Sequence, residues 1–330
     1  MKYTYLGKIG LKVSRLCLGT MNFGPHTDEK ECFAIMDRAL EAGINFFDTA
    51  DGYGKRDGRG YPGWTEEIMG RWFMQGGNRR EKVVLATKVY SDMEDEVDGP
   101  NSARGISAYK IYRNLDRSLK RLRTDYVELY QTHHIYRHTT WEELWGAFES
   151  VVNQGKAYYI GSCNFPGWHI VQAQAEAAKR NFLGLVSEQH KYSLVCRLPE
   201  LEVLPAVQET GIGLIAYSPL GAGMLSGNVF NSAPGTRGAQ RMNSFTEKER
   251  WQIEEYSKLC ADFGESEANV ALAWVLSNPA VTAPIIGPRT VAQLEDSLKA
   301  IEIELPDDVL KKLDEIFPGP GGKAPEAYAW

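Results

Sequence analysis

Short apolar runs alternate with longer helical patterns along nearly the whole chain. In the helical patterns, apolar positions recur with the helical period, as in 28–43, which ends on a glycine, and 140–156, which begins with a capping threonine. Repeated strand-then-helix units predict parallel strands joined by crossover helices. The runs predicted as strands are RLCLG (15–19), NFFD (45–48), VLATK (84–88), VELYQ (127–131), YYIG (158–161), LVSE (185–188), LIAY (214–217) and PIIG (284–287).

Eight such units in 330 residues predict a closed (β/α)8 TIM barrel that occupies the chain as a single domain, 1–330. Before the first unit, YTYL, GKIG and LKVS predict an N-terminal β-hairpin with a glycine-bearing turn. An open, doubly wound sheet is the alternative architecture, because it is built from the same units.

Two connections are longer than the usual link between a strand and the next helix. One is 91–105, after the third predicted strand, and the other is 218–244, after the seventh. Because long strand-to-helix loops of a barrel lie on its catalytic face, both are candidate walls of a substrate cleft. The alternative is that the middle of each is ordinary surface loop. The tail 317–330 is rich in glycine and proline and ends in aromatic residues.

Composition narrows the class of protein. Hydrophobic residues make up 43% of the chain and charged residues 24%, which is the globular range. A net charge of -6 argues against a surface for nucleic acid, and no apolar stretch is long enough for a bilayer. The alternating start MKYTYLGKIGLKVS predicts no secretory signal. Five scattered cysteines without CxxC spacing predict reduced thiols and a cytoplasmic location.

Polar and titratable residues gather where the predicted strands end. A barrel keeps its active site at those ends, so the set predicts a functional site there. The strand-end residues are Gly19–Thr20, Asp48, Lys88, His133, Ser162–Cys163–Asn164, Glu188–Gln189, Tyr217–Ser218 and Gly287.

Three of these residues and a nearby tyrosine suit proton transfer to a carbonyl oxygen. Asp48 is expected to keep Lys88 charged, and Lys88 is expected to lower the pKa of Tyr53 from about 10. Tyr53 then becomes a general acid, and His133 donates or positions a hydrogen bond to the same oxygen. Asp48 alone has a simpler interpretation as a strand-end or turn acid, and Tyr53 alone as a partly buried aromatic.

The chain resembles the aldo-keto reductases along almost its whole length. The resemblance implies a catalytic tetrad of Asp48, Tyr53, Lys88 and His133, and NADPH bound across the barrel mouth with hydride passing to an aldehyde, ketone or enone. The matching stretches are LGTM (18–21), FFDTADGYG (46–54), ATK (86–88), DYVELYQTHH (125–134), GSCNF (161–165), SEQ (187–189), IAYSPLGAG (215–223) and IIGPRTVAQLEDS (285–297).

The same resemblance implies which residues hold the cofactor. Asn164 and Gln189 are expected to hold the nicotinamide carboxamide, and Tyr217 to stack on its ring. Arg289 is expected to meet the adenosine 2'-phosphate, at the start of a helix whose N-terminus also attracts anions. The remaining cofactor-binding candidates are Gly19, Thr20, Met21, Asp48, Ser218, Leu220, Gly221 and Gly287, with Gln293 and Ser297 near the adenine.

A narrower resemblance concerns the substrate. The stretches 62–72 and 164–170 and the end APEAYAW are similar to bacterial sugar-nucleotide reductases of deoxysugar biosynthesis. On this basis Arg56, Arg59 and Arg104 are candidate contacts for a diphosphate. Some positions depart from the family pattern: Met21, Cys163, and Asp296–Ser297 in place of the usual Glu-Asn pair.

Other site classes are disfavoured. The pair His133–His134, with His138 nearby, suggests a metal, but neighbouring strand residues are expected to point to opposite faces, so no metal site is predicted. The stretch 58–63 matches GxGxxG, yet it does not follow its strand directly and is not a Rossmann fingerprint. Arg237 is a candidate for the pyrophosphate, although a solvated loop arginine is the simpler interpretation.

Three functional classes remain: a carbonyl reductase, a glycoside hydrolase on a similar barrel, and a cofactor-binding regulatory subunit of the channel-associated type. The hydrolase requires two facing carboxylates, and the predicted strands four and seven end in THH and YSP instead. The predicted partner is a small-molecule carbonyl substrate, and the oligomeric state is left open. A broad-specificity small-aldehyde reductase is the alternative to the sugar-nucleotide enzyme.

Overall fold

The computed structural model describes residues 1–227 and 245–324 of the chain. Its strands are β1 (Tyr3–Tyr5), β2 (Lys12–Ser14), β3 (Cys17–Gly19), β4 (Phe46–Asp48), β5 (Val84–Val89), β6 (Val127–Thr132), β7 (Ala157–Cys163), β8 (Leu185–Lys191), β9 (Gly213–Tyr217) and β10 (Val281–Ile286).

The α-helices in the same described ranges are α1 (Glu29–Glu41), α2 (Trp64–Phe73), α3 (Ala108–Leu122), α4 (Trp141–Asn153), α5 (Gly167–Ala178), α6 (Pro199–Thr210), α7 (Glu247–Phe263), α8 (Glu267–Ser277), α9 (Val291–Leu298) and α10 (Asp307–Ile316). Short 3-10 turns cover Gly99–Ser102, Gly221–Gly223 and Lys299–Glu302. No helix within the described ranges is both long and apolar enough to cross a membrane.

Strands β3 to β10 close into a parallel barrel in chain order, with β10 pairing back onto β3. This closure confirms the predicted (β/α)8 barrel and rules out the open sheet, whose edge strands stay unpaired. Gly19 is paired with Asp48 and Asp48 with Ala86. On the other side, Lys88 is paired with Gln131, so the polar strand ends lie at one level of the barrel.

The N-terminal hairpin is also confirmed, since β1 and β2 pair antiparallel ahead of the barrel. Leu6 and Val13 belong to the apolar cluster that fills the barrel interior, so the hairpin covers the end opposite the strand carboxyl termini. Gly7 has φ +60°, and a Cβ there would lie 2.6 Å from the backbone nitrogen of Gly213. This close approach requires glycine.

The helices begin and end where their sequence signals predict. The Asp28 side chain caps α1 by accepting from the Glu31 backbone N–H, and Gly43, just past its end, has φ +84°. The Thr140 side chain caps α4 by accepting from the Glu143 backbone N–H. The apolar faces of the helices pack on the barrel's outer wall, where Trp72 and Trp145 are almost fully buried.

The long connections differ in how much of them is described. The connection 90–107, between β5 and α3, is described throughout and includes the turn Gly99–Ser102. Of the predicted loop 218–244, only 218–227 lies within the described residues, so Arg237 falls outside them. Residues 325–330 of the tail also fall outside.

Candidate active site

A buried ion pair lies at the centre of the barrel mouth. The Nζ of Lys88 is 2.6 Å from Oδ2 of Asp48, and Lys88 is completely buried. The same nitrogen donates to the backbone oxygen of Thr49 at 2.9 Å and to the hydroxyl of Tyr53 at 3.2 Å. The three predicted residues Asp48, Lys88 and Tyr53 are therefore in direct contact, and the lysine joins the acid to the phenol.

The other carboxylate oxygen of Asp48 is held by two amides. Gln189 donates to Oδ1 at 2.8 Å and Gln131 donates to it at 3.2 Å, and both glutamines are buried. Gln131 was not predicted to belong to the site. Its signal was available: Gln131 is the last residue of the predicted strand 127–131, two positions after the inward-facing Leu129.

Burial raises the pKa of the Tyr53 phenol, contrary to the prediction from the sequence. Loss of solvent raises the pKa of Tyr53 to about 12, because the lowering effect of the Lys88 cation is smaller and Asp48 raises it further. The prediction that Lys88 brings this pKa below about 10 was wrong. Burial lowers the pKa of Lys88, but Asp48 and Tyr53 raise it more, and the net result lies above its ordinary value. The lysine therefore stays charged, and the tyrosine stays protonated.

His133 lies beside Tyr53, and its imidazole is neutral. The rings of Tyr53 and His133 meet edge to face with centroids 5.6 Å apart. Burial, followed by the charge of Lys88 and by His134, holds the pKa of His133 well below its ordinary value. A neutral imidazole can donate one hydrogen bond and accept another.

The adjacent histidines do not point to opposite faces, so that part of the prediction was wrong. Their rings stack with centroids 5.1 Å apart and 5° between planes. The strand ends at Thr132, and the alternation of side chains ends with it. Even so, no group of three or more His, Cys, Asp or Glu side chains is arranged to hold a metal ion within 1–227 and 245–324.

Backbone contacts fix the loop that carries Tyr53. Its carbonyl accepts from the N–H groups of Gly63 and Thr65, at 3.0 and 3.3 Å, where α2 begins. The side chain of buried Asp51 accepts from Asn114 on α3 at 2.9 Å and from the Tyr90 backbone at 3.3 Å. The phenol thus projects from a loop that is anchored at several points.

A single lysine ties down the neighbouring connection 90–107. The buried Nζ of Lys110, on α3, donates to four backbone oxygens of that connection. Two of them belong to Tyr90 and Ser91, at 3.1 and 2.6 Å. The others belong to Ser102 and Ala103, at 3.1 and 2.6 Å. One ammonium group therefore joins the two ends of the connection, which is the predicted wall of the substrate cleft.

The turn after β7 places Asn164 at the mouth. Asn164 has φ +62°, a left-handed conformation that asparagine adopts more readily than most residues. Fully buried Glu188 holds this turn, because it accepts from the Ser162 hydroxyl and, at 2.9 Å, from the Phe165 backbone N–H. Glu188 is a second residue that was not assigned a role from the sequence.

The two amides predicted to meet the nicotinamide have different surroundings. The Nδ2 of Asn164 contacts the His133 carbonyl at 3.2 Å, and its Oδ1 accepts from the Tyr217 hydroxyl at 2.8 Å. Gln189 is buried and directs its amide nitrogen to Asp48, which leaves Oε1 with a weak thiol contact from Cys163 at 3.9 Å. Gln189 can therefore accept from a carboxamide, while Asn164 and Tyr217 form one unit.

The predicted pyrophosphate segment follows β9. Ser218 and Gly221 both have positive φ, +53° and +57°, and Leu220 between them is partly exposed. Across the mouth, Gly19 and Thr20 are buried, and the Thr20 hydroxyl donates to the Asp48 carbonyl at 2.9 Å. Met21, next along the chain, is 43% exposed.

The residues predicted for the adenine end lie around the start of α9. Arg289 is exposed, and its backbone N–H donates to the side chain of Gln293 at 2.8 Å. The Ser297 hydroxyl donates to the Gln293 carbonyl. Gly287, at the end of β10, accepts from the side chain of Asn22 at 2.9 Å.

An acid already occupies part of that helix N-terminus. The carboxylate of Glu31, on α1, accepts from the Val291 backbone N–H at 2.8 Å. Because this negative charge takes one of the free N–H groups, the predicted phosphate contact would depend more on the Arg289 guanidinium than on the helix.

Of the arginines proposed for a diphosphate, Arg56 and Arg59 lie beside each other, and Arg104 lies on the connection 90–107. Arg56 and Arg59 pair through their backbones, each N–H donating to the other's carbonyl at 2.9 Å. Arg104 is exposed. Burial is the main cause that lowers the pKa of His134, and the positive charge of Arg104 is the second.

Known proteins resemble this chain over its full length. It is 62% identical, with both chains fully covered, to an uncharacterized oxidoreductase, YrpG, of Bacillus subtilis. It is 32% identical to a probable voltage-gated potassium channel subunit beta of Arabidopsis thaliana, with 99% of this chain and 100% of that protein covered. It is 30% identical to versiconal hemiacetal acetate reductase of Aspergillus parasiticus, covering 96% and 97%. None of these three names refers to deoxysugar biosynthesis.

The match to a family model covers the barrel itself. The model described as the Aldo/keto reductase family matches residues 15–317, from β3 to the end of the last helix. With that match and the full-length relatives, this chain belongs to the aldo/keto reductase family.

Proposed function

We propose that the protein is an NADPH-dependent reductase that delivers hydride to an aldehyde, ketone or enone, with Tyr53 as the proton donor. One observation carries the proposal: the Lys88 ammonium lies 2.6 Å from the Asp48 carboxylate and 3.2 Å from the Tyr53 hydroxyl at the barrel mouth. NADPH, when bound, supplies the hydride. The chain's own residues bind it and handle the proton.

The electrostatics of the site favour proton donation over proton abstraction. Tyr53, with a pKa of about 12, holds its proton until a substrate oxygen becomes strongly basic. The Lys88 cation then stabilises the phenolate that remains. Neutral His133, next to the phenol, orients the substrate oxygen without adding charge.

The residues around the mouth also fit NADPH. Gln189 presents an acceptor, Asn164 and Tyr217 form a hydrogen-bonded pair, and exposed Arg289 supplies a cation for a phosphate. The positive φ of Ser218 and Gly221 turns the chain sharply after β9, the place where the pyrophosphate is proposed to lie.

Tyr53→Phe tests the proton donor. We expect carbonyl reduction to be lost while the affinity for NADPH, measured by fluorescence titration, stays nearly unchanged, because only proton delivery is removed. Tyr61→Phe is the matched control, since this exposed phenol lies on the same loop outside the buried cluster. A Tyr53→Phe enzyme with wild-type kcat would show that the proton comes from another group.

The finer proposal is a nucleotide-linked deoxysugar as substrate. The stretches 62–72 and 164–170 support it, as do the exposed Arg59 and Arg104 near the mouth loops. Binding energy from the nucleotide would orient the sugar, so a truncated sugar should lose kcat as well as affinity. The test compares kcat/KM for a keto-sugar nucleotide, the free sugar and a small aromatic aldehyde. An aldehyde that matches or exceeds the nucleotide sugar identifies a broad-specificity aldehyde reductase instead.

A second candidate, a cofactor-binding regulatory subunit, is favoured by the 32% identity to a potassium channel subunit beta. The two functions differ in turnover. A regulatory subunit binds NADPH but oxidises it slowly with every carbonyl of the panel, whereas a reductase turns over many times with at least one.

A further inference from the structure

The side chain of His134 has no part in the reductase mechanism described above, although it lies beside the site. It follows β6 and is exposed. Its ring stacks on the ring of His133 with centroids 5.1 Å apart, and it meets the ring of Tyr90 edge to face with centroids 4.9 Å apart. Tyr90 is itself held in place, because its backbone oxygen accepts from Lys110. These ring contacts set where the two nitrogens of His134 lie.

The neighbours of Asn164 fix the orientation of its amide group. Nδ2 lies 3.2 Å from the carbonyl oxygen of His133, and a carbonyl oxygen only accepts, so the nitrogen must face it. The hydroxyl of Tyr217 donates to Oδ1 at 2.8 Å and is the one donor to this oxygen among the described residues. Because an amide oxygen has two lone pairs, Oδ1 can accept a second hydrogen bond.

The same amide nitrogen determines which nitrogen of His134 carries the proton. Nδ2 of Asn164 lies 3.2 Å from Nδ1 of His134. An amide nitrogen donates and does not accept, so Nδ1 must accept and the proton of the neutral imidazole is on Nε2. Burial, and after it the charges of Arg104 and Lys88, lowers the pKa of His134, which favours this neutral form.

Both hydrogens of the Asn164 amide are used by these neighbours. One is donated to the carbonyl of His133 and the other to Nδ1 of His134. The thiol of Cys163 lies 3.1 Å from the same nitrogen, but sulfur is a weak acceptor and competes poorly. With both N–H groups engaged, Asn164 presents only its oxygen to a ligand.

We propose that His134 is a positioning residue for the cofactor. By accepting from Asn164, it directs Oδ1 toward the nicotinamide, where this oxygen accepts a hydrogen bond from the carboxamide nitrogen. The inference rests on the proposed function, because it assigns a role within the NADPH site. It does not depend on turnover, since His134 acts on the binding of the cofactor and not on the proton.

Three substitutions at this one position test the role. His134→Phe keeps a ring beside His133 and Tyr90 but removes the acceptor, so it should weaken NADP binding about threefold to tenfold, the effect of one hydrogen bond. His134→Asn should restore most of the affinity, because its Oδ1 is as many bonds from Cα as Nδ1 of histidine. His134→Gln carries its amide one bond further out and should not restore it. His138→Phe is the matched control: it changes an exposed histidine on the same loop and should leave the affinity unchanged.

A cofactor analogue separates this contact from general damage to the site. In the 3-acetylpyridine analogue of NADP, a methyl group replaces the carboxamide nitrogen, so no N–H is available to Oδ1 of Asn164. His134→Phe should therefore weaken NADP but leave the affinity for the analogue nearly unchanged. Fluorescence titration measures both affinities, and thermal melting checks that each variant is folded.

Three results would each overturn the inference. His134→Phe could bind NADP as tightly as the wild type, which would mean that the His133 carbonyl alone orients the amide. His134→Asn could bind no better than His134→Gln, which would mean that the Nδ1 acceptor is not what matters. His134→Phe could weaken NADP and the analogue equally, which would mean that the ring only supports the shape of the mouth. A wild-type protein that does not bind NADP at all is a distinct result, because it overturns the proposed cofactor site itself and this inference with it.

Discussion

Replacing Lys88 by methionine should be among the most destabilising single changes to the barrel mouth. The substitution keeps a chain of similar length but removes the positive charge next to Asp48, which is nearly inaccessible to solvent. Breaking a buried ion pair on one side costs about 3–5 kcal/mol, because the remaining charge is left without its partner.

The neighbours of Asp48 decide where in that range the loss falls. Gln131 and Gln189 continue to donate to Oδ1, so only Oδ2 loses its donor. Because these two donors still stabilise the Asp48 carboxylate, the expected loss of unfolding free energy lies at the lower end of that range, about 3 kcal/mol. Urea unfolding followed by tryptophan fluorescence measures this free energy at the first cooperative transition.

An exposed ion pair of nearly the same length is the control. Lys156 and Asp116 are 2.7 Å apart, but their side chains are 35% and 58% exposed. Lys156→Met should therefore cost about 0–1 kcal/mol. If the Lys88 and Lys156 variants lose the same free energy, burial does not govern the strength of the Lys88 contact and the reasoning fails.

The double variant Asp48→Asn/Lys88→Met separates charge from packing. It should lose less than the sum of the two single variants, by about 0.5–3 kcal/mol, because no unpaired buried charge remains. Strict additivity would mean that the two residues stabilise the barrel independently.

Three other predictions concern the proton, the phosphate and the cleft wall. The pKa of Tyr53 is raised to about 12 and the pKa of His133 is held well below its usual value, so Tyr53 stays protonated and His133 stays neutral on both sides of neutral pH. The rate of hydride transfer in a single turnover should therefore be constant from about pH 6.5 to 10, and an inflection near pH 8 would contradict this. Arg289→Ala should weaken NADPH by about 1.5–3 kcal/mol in a fluorescence titration and barely affect NADH, whereas an equal loss for both cofactors would indicate a disturbed loop. Lys110→Met should make 90–103 the first site of limited proteolysis, while Lys120→Met, on the exposed face of the same helix, should leave the digestion pattern unchanged.

The barrel was predictable because its signals are local and repeated. Each strand is a short apolar run, and helices such as α4 carry a capping residue where the pattern begins. The positions of Asp48 and Lys88 followed from the same logic, since carboxyl ends of parallel strands meet at one face.

The details of the site depend on three-dimensional surroundings that a linear pattern does not contain. The pKa of Tyr53 is raised because burial outweighs the nearby cation, and no spacing along the chain reports burial. The stacked rings of His133 and His134 follow from where β6 ends, a boundary that patterns place only to within a few residues. Glu31 reaches the start of α9 from a helix more than two hundred positions earlier, a contact that exists only in the closed fold.

The four carbonyls around the Lys110 ammonium bear on how this cleft can be redesigned or exchanged between relatives. A graft of the segment 90–103 from another barrel inherits an anchor that is coded outside the segment, on α3. The donor backbone must therefore return its own carbonyls to within about 3 Å of that nitrogen, or leave a buried cation unsatisfied. Transplanting the segment together with α3 keeps Lys110 and the carbonyls that it binds, so residues at the tip of the loop can be changed without losing these contacts at its two ends.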